Sequence, residues 1–141
     1  MLLFQVDASC ENYTVLNETD RAQGNVLAPH FRSDKGLVVG RRYRFQGAAG
    51  DQMPENCVLM KRCGTKHPGW LCGAHPDATE GFVTRNVCYS GPENCCTWNN
   101  TIKVKNCSGY YVYELQKPPS VNFRYCGNAG ACKLHLFDKL S

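Results

Sequence analysis

The side chains of this 141-residue chain best suited to chemistry are ten cysteines, two of them adjacent at Cys95 and Cys96. Thiols at this density are typical of disulfide-bonded domains in oxidising compartments and of structural zinc sites. Zinc sites need close pairs such as C-x₂-C, and no two cysteines of the chain have this spacing. The pattern therefore favours a disulfide framework and a secreted or extracellular location.

The nearest approach to a metal site is the run Cys63-x₃-His67 followed by Cys72-x₂-His75. A proline directly follows each histidine, so the run is typical of turns. Once Cys63 and Cys72 are oxidised, the two histidines alone cannot complete a tetrahedral zinc site. We therefore expect no metal and no cofactor.

Four N-glycosylation tripeptides begin at Asn12, Asn17, Asn99 and Asn106. With 11 asparagines and 13 serines plus threonines in 141 residues, about one such match is expected by chance. The excess predicts an N-glycosylated protein that passes through a secretory pathway.

Catalytic patterns are absent from the sequence. It contains no G-x-S-x-G elbow and no H-E-x-x-H helix, and its histidines are scattered at positions 30, 67, 75 and 135. Ten cysteines, an even number, leave no thiol that must stay free as a nucleophile. We therefore expect no enzymatic activity and no catalytic residue.

The net charge of +4 is spread among many acidic residues. The densest basic run, Arg41, Arg42 and Arg44, alternates with Tyr43 and Phe45 as in a half-buried strand. We interpret it as a solvated strand face and expect no nucleic-acid or heparin site there. No apolar run approaches the ~18 residues of a membrane span, so we expect no membrane span in this chain.

The elements that must position these residues are mostly strands. Alternation predicts strands over 101–107 and 110–115, joined at Ser108-Gly109 as a hairpin, and further strands over 81–88 and 121–125. The glycines and prolines of 47–76 predict a looped segment held by cysteines. The fold class expected is mainly β: a small disulfide-rich single domain with a C-terminal β-hairpin and long loops.

We expect one domain over 10–132 and a C-terminal tail over 133–141. The first residues, Met1-Leu-Leu-Phe, lack the basic start and the long apolar core of a signal peptide. Residues 1–9 are interpreted as a lead-in or the end of a truncated segment.

Nine short motifs, in order along most of the chain, together resemble one known domain family. They are Tyr43-Arg-Phe-Gln-Gly-Ala-Ala-Gly, Met53-Pro-Glu-Asn-Cys57, Arg62-Cys-Gly-Thr65, Pro68-Gly-Trp-Leu71, Gly73-Ala-His-Pro76, Glu80-Gly-Phe-Val83, Cys95-Cys96, Gly109-Tyr-Tyr-Val-Tyr113 and Arg124-Tyr-Cys126. The chain is similar to the cysteine-rich domain shared by uromodulin, the pancreatic zymogen-granule membrane glycoprotein and the liver zona-pellucida-type protein.

The resemblance implies a secreted, glycosylated interaction module without catalytic activity, usually one part of a longer extracellular protein. Its best-known family role, in innate defence, is as a glycan-bearing decoy for bacterial fimbrial adhesins. Some members carry a sequon asparagine where this chain has Glu114, and some carry asparagine where it has Cys72. The partner expected is an unidentified extracellular protein or glycan-binding protein.

The resemblance also implies a disulfide pairing. The implied bonds are Cys10 to Cys107, Cys57 to Cys95, Cys63 to Cys126, and Cys88 to Cys96. Because closure at Cys107 and the Ser108-Gly109 turn compete with glycan transfer, Asn106 should be the least occupied sequon.

Two cysteines remain, Cys72 and Cys132, and two family cysteines are missing, one just before Asp34 and one at Val121. Cys72 and Cys132 lie nine and six residues beyond Cys63 and Cys126, which are implied to be bonded. From that shared anchor both chains can reach the ~6 Å that a disulfide needs. We therefore predict a bond between Cys72 and Cys132.

The function predicted first is a non-enzymatic extracellular interaction or structural module, and the sharper alternative is the adhesin decoy. A third hypothesis is a secreted hydrolase or protease inhibitor, with Trp70 as an exposed anchor on the loop around His67-Pro-Gly-Trp70. Against it stands the interpretation that Trp70 is core and packs on the hairpin.

Overall fold

A computed structural model describes residues 8–26 and 30–130 of the chain. Its seven strands are β1 (Thr14–Leu16), β2 (Arg42–Phe45), β3 (His67–Cys72), β4 (Val83–Tyr89), β5 (Trp98–Asn106), β6 (Tyr111–Glu114) and β7 (Phe123–Tyr125). They form one sheet in the order β1-β2-β6-β5-β4-β3-β7. Three short 3₁₀ turns, Ala8–Cys10, Thr19–Arg21 and Gly47–Ala49, complete the regular structure of the described residues. The predicted mainly β, disulfide-rich class is confirmed.

The predicted hairpin is formed by β5 and β6, which pair antiparallel from Lys103↔Glu114 to Asn106↔Tyr111. Ser108 and Gly109 both have positive φ, 58° and 142°. The Cys107 N–H donates to the Tyr110 carbonyl at 2.8 Å and closes the two-residue turn. Glycine adopts positive φ at no steric cost, and its presence in the loop permits the tight reversal.

The loop predicted over 47–76 is wrong at His67–Cys72, which forms β3 between β4 and β7. Pro68 lacks the N–H that would bond to the Ser90 carbonyl across the antiparallel pair with β4. The His67 ring supplies a substitute, because its Nδ1 lies 2.9 Å from that carbonyl oxygen. In the other direction the Ser90 N–H donates to the Pro68 carbonyl at 3.1 Å.

The core lies on one face of the sheet. It contains buried aromatic and aliphatic side chains from every strand of the sheet, including Leu16, Phe45, Leu71, Val87, Tyr89, Ile102, Val104, Tyr113, Phe123 and Tyr125. A smaller cluster of Val58, Cys63 and Cys126 lies beside it. No helix long and apolar enough to cross a membrane occurs in the part of the chain that the structure describes.

Candidate functional site

Four disulfides hold the described residues together. They are Cys10–Cys107, Cys57–Cys95, Cys63–Cys126 and Cys88–Cys96, with Cα–Cα distances of 5.9, 5.7, 5.4 and 4.6 Å. These are the same four pairs that the family resemblance implies. The adjacent cysteines 95 and 96 reach different partners, so they tie the start of β5 to the 57–63 segment and to β4.

Cys72 ends β3 with an exposed side chain and takes part in none of these four bonds. Cys132 lies outside the described residues. The bond between Cys72 and Cys132 therefore stays a prediction.

The centre of the domain holds a buried ion pair that sequence analysis missed. Arg21 and Asp34 are 3% and 5% exposed, and their side chains meet through two hydrogen bonds of 2.7 and 3.0 Å. Asp34 also accepts the Tyr125 N–H at 2.8 Å, and Arg21 donates to the Tyr125 carbonyl at 3.0 Å. The pair therefore joins the turn after β1, the 30–37 segment and β7.

A second buried arginine, Arg124, extends this network. Its Nη1 donates to Asp20 at 2.9 Å and to the Cys63 carbonyl at 3.1 Å. Burial and the neighbouring Arg21 lower the pKa of Arg124. Burial also opposes the charged form of Arg21, but Asp34 outweighs it and raises the pKa of Arg21. Saturated with carboxylates and carbonyls, both guanidinium groups hold the fold together.

Both histidines of the suspected metal run have structural contacts instead. The His67 ring is buried between the rings of Trp98 and Phe123, with centroid distances of 4.6 and 4.9 Å. His75 Nδ1 lies 2.6 Å from Glu55 Oε2, and its Nε2 lies 2.6 Å from the Tyr113 hydroxyl. Among the described residues, no group of three potential metal ligands comes together.

His75 is held in its neutral form. Burial lowers the pKa of His75, although Glu55 opposes this. The hydrogen bonds explain the direction, because the Tyr113 hydroxyl already accepts the Met53 N–H at 3.0 Å and can donate its own proton to Nε2. A protonated Nε2 would displace that donor.

Trp70 is neither an exposed anchor nor part of the hairpin core. It is half-buried against the Val58, Cys63 and Cys126 cluster. Its Nε1 donates to the Cys95 carbonyl at 2.9 Å. Because Trp70 lies in β3, the protruding loop on which the protease-inhibitor hypothesis rests does not exist, and the expected packing against the hairpin is wrong in its partner.

The four sequons differ in their surroundings. The side chains of Asn12, Asn17 and Asn99 are exposed, whereas Asn106 is half-buried. The Asn106 amide nitrogen, the atom that would carry a glycan, donates to the Pro76 carbonyl at 3.1 Å, and its oxygen accepts the Ser108 N–H at 2.8 Å. These contacts favour lower occupancy at Asn106, in the predicted direction.

The sheet, the disulfide frame and the absence of an assembled catalytic group among the described residues define a small disulfide-bonded β domain. The family model of the uromodulin-like cysteine-rich domain matches residues 43–127. This is more than half of the chain, which therefore belongs to that family, and the resemblance is confirmed. The domain is secreted or extracellular.

Three relatives illustrate the match. Pancreatic secretory granule membrane major glycoprotein GP2 of Rattus norvegicus is 42% identical over 121 residues, covering 83% of this chain and 22% of that protein. Uromodulin of Mus musculus is 46% identical over 118 residues, with shares of 83% and 18%. The Homo sapiens GP2 glycoprotein is 40% identical over 118 residues, with shares of 83% and 21%. The chain spans about a fifth of the length of these curated relatives.

Proposed function

We propose that this chain is a non-enzymatic interaction module that presents N-glycans from a rigid extracellular scaffold. The observation that carries the proposal is the exposure of Asn12, Asn17 and Asn99 on a sheet held by four disulfides. Glycans at these sites would project from fixed positions, since β1 and β5 hold the asparagines in or beside regular strands.

The reactive side chains support a non-enzymatic role. The buried arginines bond to Asp34, Asp20 and main-chain carbonyls, and the two histidines of the 67–75 run bond to a carbonyl, a carboxylate and a tyrosine. Each group is saturated by structural partners, which leaves no free acid–base pair at these positions.

A second candidate function is the capture of mannose-specific microbial adhesins by these glycans. The three exposed sequons favour it. Glu114, which replaces a sequon asparagine of some relatives, is aligned with Arg42 across the β2–β6 pair and lies 3.4 Å from its Nε. Capture by this chain must therefore run through Asn12, Asn17 or Asn99.

The test compares three forms of the domain secreted by a host that adds high-mannose glycans: wild type, a triple variant with Asn12, Asn17 and Asn99 replaced by Gln, and the control Asn106→Gln. Intact-mass measurement should find glycans lost in the triple variant and little change in the control. Sequons that carry no glycan in the wild type would overturn the proposal of a glycan-presenting module.

Binding of a mannose-specific fimbrial adhesin is then measured with and without competing methyl mannoside. Binding that is lost in the triple variant and kept in the control supports the decoy function. Binding to none of the glycosylated forms eliminates that function and leaves glycan presentation to other partners. Undiminished binding by the triple variant places the interaction on Asn106 or the protein surface.

A further inference from the structure

The outer face of three neighbouring strands is basic. Along β2, Tyr43 and Phe45 point into the core, so Arg42 and Arg44 point outward. Along β5, Ile102 and Val104 are buried, and Lys103 and Lys105 occupy the outward positions. We call Arg42, Arg44, Lys103 and Lys105 the basic face.

The sheet register brings these cations together from distant parts of the sequence. Glu114 of β6 pairs with Arg42 on one side and with Lys103 on the other. Two strand spacings separate Arg42 from Lys103, about 10 Å. Glu114 is the only acidic residue of β2, β5 and β6, so one carboxylate faces four cations.

Aromatic rings hold three of these cations. The Arg44 guanidinium lies 3.8 Å from the centroid of the Tyr110 ring and 5.3 Å from that of Tyr13. The Phe82 ring lies 5.5 Å from the Arg42 guanidinium carbon and 5.7 Å from the Lys105 nitrogen. Such contacts fix the position of a cation without neutralising its charge. A ligand therefore meets charges that are already ordered.

The hydrogen bonding of these arginines differs from that of the structural ones. Arg21 and Arg124 bond to carboxylates and carbonyls. In the described residues, the Nε atoms of Arg42 and Arg44 make no hydrogen bond. Arg44 makes one side-chain bond, from Nη1 to the Tyr13 hydroxyl at 2.8 Å. The two arginines of the basic face thus keep donors that an anion can use.

We propose that the basic face binds sulfated polysaccharide chains. The face is open and spread over three strands, which suits a polymer with repeated anions better than a small ligand in a pocket. Guanidinium groups bind sulfate oxygens in a bidentate manner. The domain is extracellular, where such polymers are found, and it carries a net charge of +4. The basic run taken alone favours a solvated strand face; the addition of Lys103, Lys105 and the aromatic rings changes that interpretation.

The test measures binding of the glycosylated full chain to a heparin oligosaccharide at about 0.15 M salt. The variant Arg42→Gln/Lys103→Gln should bind about ten-fold more weakly and with a smaller salt dependence. The matched control Lys61→Gln/Lys66→Gln removes the same charge from exposed positions outside the face and should keep wild-type affinity. Arg41→Gln/Lys103→Gln, which changes two exposed residues, provides a second variant if the first does not fold.

Three results would overturn the proposal. The wild type does not bind heparin at this salt concentration, or the control loses as much affinity as the face variants. Alternatively, desulfated heparin or polyglutamate binds as tightly as heparin, which would indicate a generic attraction between opposite charges. Enzymatic removal of N-glycans should leave binding unchanged or stronger, since Asn12 lies in the groove that Tyr13, Arg41 and Arg42 line.

Discussion

Asp34 joins more separate parts of the chain than any exposed carboxylate could. It accepts from Arg21 and from the Tyr125 main chain inside the domain, so neither charge of the pair can reach water. Removing one partner of such a pair leaves an uncompensated buried charge, and this costs more than the pair itself contributes.

Asp34→Asn should therefore lower the free energy of unfolding by about 3–5 kcal/mol. Urea denaturation followed by tryptophan fluorescence measures this change. Asp51→Asn, at an exposed position, is the control and should stay within about 0.5 kcal/mol of wild type. Equal stability of the two variants would show that the Arg21–Asp34 pair is dispensable.

His75 links stability to pH. Its pKa in the folded state is lowered from 6.5, so the unfolded chain binds the proton more readily. Stability should be full above pH 6.5 and should fall as the pH drops from 6.5 through the lowered pKa. His75→Gln should remove much of this dependence, whereas His30→Gln, at an exposed position, should leave it in place. Urea midpoints at several pH values measure it, and identical pH profiles for wild type and His75→Gln would contradict the assignment.

At the scale of single elements, β3 depends on close approach between backbone and ring. A Cβ on Gly69 would lie 2.7 Å from Tyr89 Cε1 and 3.3 Å from the Arg124 carbonyl oxygen. Tyr89 is fully buried and cannot move aside without disturbing the core.

Gly69→Ala should thus lower the free energy of unfolding by about 1–3 kcal/mol, the usual cost of overpacking. Gly36→Ala is a matched control, because no atom lies within 4 Å of its Cβ position. The control should be neutral or slightly stabilising. Thermal unfolding of both variants provides the comparison, and a Gly69→Ala protein as stable as the control would show that β3 and β4 can separate at little cost.

The strands that could be predicted are those in which local pattern and tertiary packing agree. Alternating Ile102 and Val104 before Ser108-Gly109 specify the hairpin by themselves. β3 could not be predicted, because Pro68 normally breaks a central strand and its missing donor is replaced by a ring nitrogen whose position only the fold determines. The Arg21–Asp34 pair likewise has no local signature, since the two residues meet through a turn and β7. Of the candidate site, exposure of three sequons follows the expected surface position, and the role of the basic run depends on strands far away in sequence.

At the scale of the whole molecule, the sulfur chemistry remains to be completed at Cys72. We predict that the secreted chain contains a Cys72–Cys132 bond and no free thiol. Non-reducing peptide mapping should recover the two cysteines in one linked pair. Recovery of both as alkylated thiols would contradict the prediction and would leave Cys72 as a reactive group at the end of β3.

The remaining disulfides should differ in their contribution to the stability of the whole domain. Cys10–Cys107 closes a sequence separation of 97 residues and Cys88–Cys96 one of 8. In the chain-entropy description, the longer loop restricts the unfolded state more, by about 4.7 kcal/mol against about 2.5 kcal/mol. The double variant Cys10→Ser/Cys107→Ser should therefore be less stable than Cys88→Ser/Cys96→Ser when both are unfolded in urea. The reverse order would show that local contacts around β4 and the 95–96 turn, rather than the entropy of the unfolded chain, determine what each bond contributes.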